Sequence, residues 1–418
     1  MTSPADLARP DLTSARADYD ALVAQGMKLD LTRGKPSAQQ LDLSTALLSQ
    51  PGADFRAADG TDTRNYQGLQ GLKELREIMA PALQVPVEQL VAFGNGSLEL
   101  MHDTLVNALL NALPGAPRRW VEEEPVTFLA PVPGYDRHFG VCERLGIDLV
   151  AVPMTDDGPD MDGVERLVAS DASVKGIWCV PKYSNPTGAT YSDEVVRRLA
   201  TMPTAAPDFR IMWDNAYAVH TLTAEPAPLA DLLALATGAG NGDRVFVFGS
   251  TSKITLAGAG VAFFGASPAN LDWWLKLTAK RTIGPDKVNH LRHARFLGSA
   301  EGLAAHMAKH REILAPKFAV LERILQENFA ATPGVSWSSP EGGYFVTLTV
   351  PAGLASETVR LAKEAGIALT PAGATHPYGK DPDDAVIRLA PTFPPLDEVE
   401  KAMAGVATCL TLALAQHA

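Results

Sequence analysis

Cysteine is scarce in this chain. Only three occur in 418 residues, Cys142, Cys179 and Cys409, far apart and without a Cys-x-x-Cys pair. That spacing speaks against a cysteine-based metal site and suits a reducing compartment. Positive charge is also in deficit. Thirty-six lysines and arginines face 48 aspartates and glutamates, a formal net charge of −12. Such a balance argues against non-specific nucleic-acid binding. It also requires any site for an anionic ligand to be positive locally, against the overall field. No apolar run approaches the ~18 charge-free residues of a membrane span, and the N-terminus lacks a charged-then-apolar signal. The expectation is a cytoplasmic protein with no membrane and no nucleic-acid partner. No fixed-period repeat and no low-complexity tract is present.

What the chain does contain is an ordinary soluble composition, 46% apolar with mean hydropathy near zero, at a length that suits two domains. Short apolar runs alternate with helical patterns through its middle. Leu90 to Phe93, Val126 to Ala130, Leu149 to Val152, Gly176 to Val180, Phe209 to Trp213, Val245 to Phe248 and Val261 to Phe264 read as strands. A helix is expected over Asp6 to Gln25, another opens near Leu69, and Ser97 to Leu113, Met161 to Ser170 and Asp193 to Thr201 read as helices. This alternation predicts βα units and a mainly parallel sheet. Beyond Lys287 the texture changes. A basic helical stretch runs from Asp286 to Phe329, broken near Gly298. A strand at Gly343 to Val350, a helix near Glu357 to Ala365, a strand at Ala385 to Leu389 and a last helix near Asp397 to Ala415 follow, an α+β module.

Several chemistry-bearing residues fall just after the predicted strands, where open α/β sheets place ligands. Lys253 follows Val245–Phe248 in the run Ser250-Thr251-Ser252-Lys253. Asp214 and Tyr217 follow Phe209–Trp213, and Asn185 lies in Ser184-Asn185-Pro186-Thr187-Gly188 after another apolar run. Singly, each has a plain reading as a surface charge, a cap or a turn residue. Together, an amine, a carboxylate, a phenol and an amide suit one cofactor, pyridoxal 5'-phosphate. The amine can form a Schiff base, the carboxylate can keep the pyridine nitrogen protonated, and the phenol and amide can bond O3′. Gly94-Asn95-Gly96-Ser97 joins a strand to a helix, and backbone amides there, at Gly96, Ser97 and Leu98, can seat a phosphate. Ser250 and Ser252 are further small donors. Arg388 lies inside the apolar run Ala385–Ala390, where a charge needs a partner.

This constellation resembles the fold-type I aminotransferases of the aspartate aminotransferase superfamily, from about Leu31 to Arg388. The nearest likeness is a branch of aspartate aminotransferases related to the aminotransferase domain of MocR-type regulators. Its marks are Leu31-Thr32-Arg33-Gly34-Lys35-Pro36, Ser250-Thr251-Ser252-Lys253 and Thr282-Ile283-Gly284-Pro285-Asp286-Lys287. The resemblance implies an α/β fold, a three-layer sandwich with a mainly parallel sheet over residues 50–297. A smaller α+β domain would be formed by residues 1–49 and 298–418. It implies that Lys253 is the Schiff-base residue and proton carrier, Asp214 the partner of the pyridine nitrogen, and Tyr217 and Asn185 the O3′ ligands. Tyr135 would stack on the ring, Tyr66 would reach the neighbour's phosphate across a homodimer, and Arg388 would hold the substrate α-carboxylate, with Asn185 and Gly34 beside it. Most members carry an arginine eight positions after the lysine to grip the phosphate. Here that position is Val261.

The implied activity is exchange of an amino group between an L-amino acid, aspartate first, and a 2-oxo acid, 2-oxoglutarate first. A side-chain carboxylate needs a second cation, for which the candidates are Arg33, beside Gly34 at the site entrance, and Lys287 or Arg281, from this or the other subunit of a dimer. Other pyridoxal phosphate reactions, such as β-elimination or decarboxylation, run on the same fold. A non-catalytic ligand sensor of the MocR kind ranks lower. Only about 30 residues precede Arg33-Gly34, too few for a helix-turn-helix module.

Overall fold

The computed structural model of the protein describes residues 11–123 and 125–417. Its strands, in chain order, are β1 Leu29–Asp30, β2 Leu90–Ala92, β3 Thr127–Val132, β4 Asp148–Thr155, β5 Gly158–Pro159, β6 Val174–Cys179 and β7 Arg210–Asp214. There follow β8 Val245–Ser250, β9 Ala262–Ala266, β10 Ser336–Trp337, β11 Val346–Thr349, β12 Ile367–Ala368 and β13 Val386–Leu389. Eight of them make one sheet in the order β2-β9-β8-β7-β6-β3-β4-β5. Strands β8, β7, β6, β3 and β4 run parallel, and β9 and β5 are reversed.

The central strands of this sheet are buried on both faces. Along β6, β7 and β8 neighbouring residues enter different cores. Ile177, Cys179, Ile211, Trp213, Val245 and Val247 join one cluster. Trp178, Met212, Phe246 and Phe248 join another. The two-residue alternation of a pleated strand therefore feeds two layers of helices, and a near-continuous apolar run is what such a strand needs. The result is the expected three-layer α/β arrangement.

A third core lies apart. Leu31 and the helix Leu12–Ala24 pack there with the C-terminal half of the helix Ala300–Phe329, with β11, β12 and β13, and with the helix Leu396–Gln416. Its strands form an antiparallel sheet β10-β11-β13 and a parallel pair β1-β12. The long helix bridges the two regions. Leu303 and Met307 belong to the large core, while Phe318 and Leu321 belong to the small one.

The expected break at Gly298 is present. Gly298 has φ +74, and Ser299 caps the next helix by accepting from Gly302 N–H. The first helix begins at Leu12 behind an Asp11 cap, and the expected stretch Asp6–Pro10 lies outside the described residues. The helix expected to open near Leu69 starts at Lys73. Helices Asp136–Leu145 and Pro268–Arg281 stand where the pattern assigned none. The second carries a legible start signal, a Ser267 cap with Pro268 in the first turn. Among the described residues no helix is long and apolar enough to cross a membrane.

Candidate active site

The carboxyl ends of the strands converge on a cavity of about 670 Å³. Asp214 closes β7 and Lys253 lies three residues beyond β8, while Asn185 and Tyr135 follow β6 and β3. Ser97 and Leu98 open the helix that follows β2, and Arg388 comes from β13 across the cleft. Arg33 and Gly34 complete the expected lining. The approach is tight on that side. A Cβ at Gly34 would stand 2.3 Å from the Phe345 ring, so only glycine fits.

The floor is densely partnered. Asp214 is 2% exposed, and its Oδ2 lies 3.0 Å from His138 Nε2. His138 stacks on Trp178 with centroids 4.1 Å apart and planes within 7°. It also meets the Tyr135 ring edge-on at 4.9 Å. The second oxygen of Asp214, Oδ1, is buried with no hydrogen-bond partner. An unmatched carboxylate oxygen at such depth is costly unless a donor meets it. A protonated pyridine nitrogen is a donor of the right kind.

Lys253 is half-buried, and its ammonium rests on aromatic faces, 5.1 Å from the Tyr217 centroid and 5.9 Å from that of Tyr344. Burial pushes its pKa down, and the charge of Asp214 opposes that shift. The amine is thus moved toward the neutral form that attacks carbonyl carbon. Burial, with Tyr135 and Asp214 adding, pushes the Tyr217 phenol well above its ordinary value, so it stays protonated and can donate. Gly96 caps the helix Ser97–Leu110 without a side-chain hydrogen bond, which leaves its first amides open to an anion.

Arg388 is buried and already held. Its Nη1 contacts Asp136 Oδ1 at 3.0 Å and Asn185 Oδ1 at 3.4 Å, and Thr370 Oγ1 accepts from its other nitrogens. The charge expected to need a partner has one that a substrate carboxylate could displace. Three further cations line the cavity, Arg33, Lys35 and Arg137, all exposed. With Lys253 and Arg388 they make five cations against two carboxylates, Asp136 and Asp214. The cavity is therefore positive inside a chain of charge −12.

Some expected residues lie elsewhere. Gly96 stands one residue outside the lining. Ser250 and Ser252 also lie outside it, bonded to each other by a Ser252 N–H to Ser250 Oγ contact of 3.4 Å. Val261 is fully buried and exchanges hydrogen bonds with Thr251, so it is a core residue that brings no charge. Tyr66 is 69% exposed, in a separate concavity with Gly284–Val288. Neither Lys287 nor Arg281 lines the cavity of its own chain. Lys287 Nζ donates to the carbonyls of Asn65 and Gln67, at 2.8 and 2.6 Å, and Arg281 pairs with Asp103 at 2.6 Å. His138, Arg137, Lys35 and Asp136 are the residues that sequence reasoning missed. For Asp136, Arg137 and His138 the one available signal was their position in the helix that follows Tyr135, and for Lys35 it was its place beside Arg33-Gly34.

A lysine, a carboxylate with an open buried oxygen, and an arginine on one positive cavity at a sheet's carboxyl edge define an enzyme of the aminotransferase class. The chain belongs to the aspartate amino-transferase family, whose model matches residues 3–418. A protein of Mycolicibacterium smegmatis, described only provisionally as an aminotransferase, is 58% identical over 414 residues, 97% of each chain. The aspartate aminotransferase of Corynebacterium glutamicum is 52% identical over 400 residues, 96% of this chain and 92% of that protein. The crystal structure of an aspartate transaminase from Corynebacterium glutamicum superposes with a TM-score of 0.95 at 51% identity. It covers 97% of this chain and 96% of its own.

Proposed function

We propose that this aminotransferase carries pyridoxal phosphate on Lys253 and moves an amino group from a dicarboxylic L-amino acid, aspartate first, to 2-oxoglutarate. The observation that carries the reading is the presence of the unmatched Asp214 Oδ1 and an excess of cations on one cavity. The bound cofactor supplies an electron sink that lets the substrate Cα proton leave. Asp214 Oδ1 would hold a proton on a ring nitrogen, and His138 fixes the carboxylate from its other side. Asn185 and the protonated Tyr217 would hold O3′, and Tyr135 would cover the ring. The amides of Gly96, Ser97 and Leu98 would seat the phosphate, with Ser250 and Ser252 as further donors. Lys253 Nζ would take the Cα proton and return it. Arg388 exchanges Asp136 for the α-carboxylate, a fork-to-carboxylate match. Arg33 or Arg137 takes the side-chain carboxylate.

The same reading includes the division into residues 50–297 and residues 1–49 with 298–418, a cytoplasmic location and a homodimer. Support for the last is an exposed tyrosine, Tyr66, on a loop whose carbonyls Lys287 pins. Incubation with 2-oxoglutarate and a panel of amino acids tests the function. Glutamate should form, fastest from aspartate. Pyruvate with ammonia would mean a lyase, and alanine from aspartate a β-decarboxylase. A tenfold preference for an aromatic or aliphatic donor would overturn the dicarboxylate reading.

A further inference from the structure

Behind Lys253 lies a buried polar network that the proposed chemistry does not use. The carbonyls of Lys253 and Ile254 belong to the turn after β8, and no backbone amide among the described residues bonds either of them. Ring donors do so instead. His220 Nε2 stands 3.3 Å and the Tyr344 hydroxyl 3.5 Å from the Lys253 carbonyl. His306 Nε2 stands 2.8 Å from the Ile254 carbonyl and 3.1 Å from His310 Nε2. One side chain joins the two sets. Gln40 Nε2 donates to the Tyr344 oxygen at 2.8 Å and reaches His310 Nδ1 at 3.0 Å.

Both hydrogens of the Gln40 amide are used, one on the Tyr344 oxygen and one on His310 Nδ1. The Tyr344 hydroxyl, having accepted from Gln40, is free to donate to Lys253. Gln40 Oε1 in turn accepts from Ser37 N–H at 3.0 Å, and Ser37 Oγ accepts from Gln40 N–H at 3.4 Å. That reciprocal cap ends the segment Arg33–Pro36, which forms part of the cavity wall. Gln40 and Tyr344 are fully buried and His310 is nearly so. A buried glutamine whose side-chain amide makes three matched contacts and whose backbone N–H makes a fourth, to partners up to 304 positions away, is specific in a way that core filling alone does not require.

We propose that Gln40 is a positioning residue that ties the entrance segment Arg33–Ser37 to the main chain of Lys253, so that order in one enforces order in the other. The inference rests on the reading of Lys253 as the reactive amine only for its functional meaning. The mechanical link is testable without it.

Amide hydrogen exchange on the full-length protein, without substrate, reads both segments directly. Gln40→Met keeps the volume and removes the amide. Exchange should accelerate about fivefold, the effect of one neutral hydrogen bond, in peptides spanning 33–44 and in those spanning 250–256. Tyr344→Phe removes one hydroxyl from the same path and should accelerate both as well. The double variant should exchange no faster than Gln40→Met, because the two changes cut one chain of bonds. In turnover, kcat should fall about fivefold or more while KM stays within about twofold. Acceleration confined to 33–44 would overturn the proposal. So would fully additive effects. If Gln40→Met does not fold, Tyr344→Phe decides alone, and unchanged exchange at 250–256 refutes the link. A cofactor found on another lysine would defeat the reading of Lys253 and leave the exchange result standing.

Discussion

The floor and the mouth of this cavity are built differently. On the floor, Tyr135, His138 and Trp178 are packed ring on ring beside Asp214, Tyr217 stacks on Tyr344, and a single Asp214 carboxylate oxygen is left open. At the mouth, Arg33, Lys35 and Arg137 are exposed, and Lys35 lies over the Phe393 ring at 3.8 Å rather than beside an acid. In the proposed function the rigid groups, matched but for that one oxygen, serve chemistry common to every amino donor, and the loose cations serve the part of the substrate that varies. On that reading reaction and selectivity separate, the first set by burial and the second by charge at the rim.

Breaking the floor should produce the larger effect. Asp214→Asn keeps the size and removes the charge. A loss of two pKa units at the ring nitrogen is about 2.7 kcal/mol, or roughly a hundredfold. Steady-state kcat should fall by at least that factor for aspartate and alanine alike, so their ratio holds. A ratio that changes with the floor would dissolve the distinction.

Breaking the mouth should do the reverse. A charge-assisted hydrogen bond contributes roughly 1.5–3 kcal/mol. Arg33→Ala or Arg137→Ala should therefore lower kcat/KM for aspartate by about ten- to a hundredfold and leave alanine nearly unchanged. The comparison of donors isolates selectivity, because uniform damage cancels. Equal losses for both donors would move that arginine from the rim to the floor.

The smallest effect is in stability. Burial depresses His310 to about 4 and His220 to about 3, against an ordinary value near 6.5. A base with a depressed folded pKa binds fewer protons folded than unfolded in that window. Stability is therefore full above pH 6.5 and declines as pH falls toward 4. Tm at pH 5 should lie a few degrees below its value at pH 7. His310→Asn should flatten that slope, whereas Arg137→Ala should leave it unchanged.

The floor was largely legible because its residues follow apolar strands at short range. Lys253, Asp214, Tyr217, Asn185 and the Gly96-Ser97 turn each sit within a few positions of a strand end. What escaped depends on distant pairing. His138 meets Asp214 across 76 positions, and Arg388 finds Asp136 across 252. No local pattern encodes those contacts. Lys287 and Arg281 lie off the cavity of their own chain, a placement the sequence alone does not show. A basic residue reads the same whether it faces a cavity or is pinned, as Lys287 is, to two backbone carbonyls. Val261, by contrast, was readable as a missing charge, and its burial beside Thr251 agrees with that.

The most direct test of the central claim is to locate the cofactor. The purified protein, loaded with pyridoxal phosphate, is reduced with borohydride, digested and mapped by mass spectrometry. The account predicts a single pyridoxyl group on Lys253, absent in Lys253→Ala, a variant that still folds and has lost nearly all transamination. A pyridoxyl group on any other lysine, or full activity in Lys253→Ala, would contradict it.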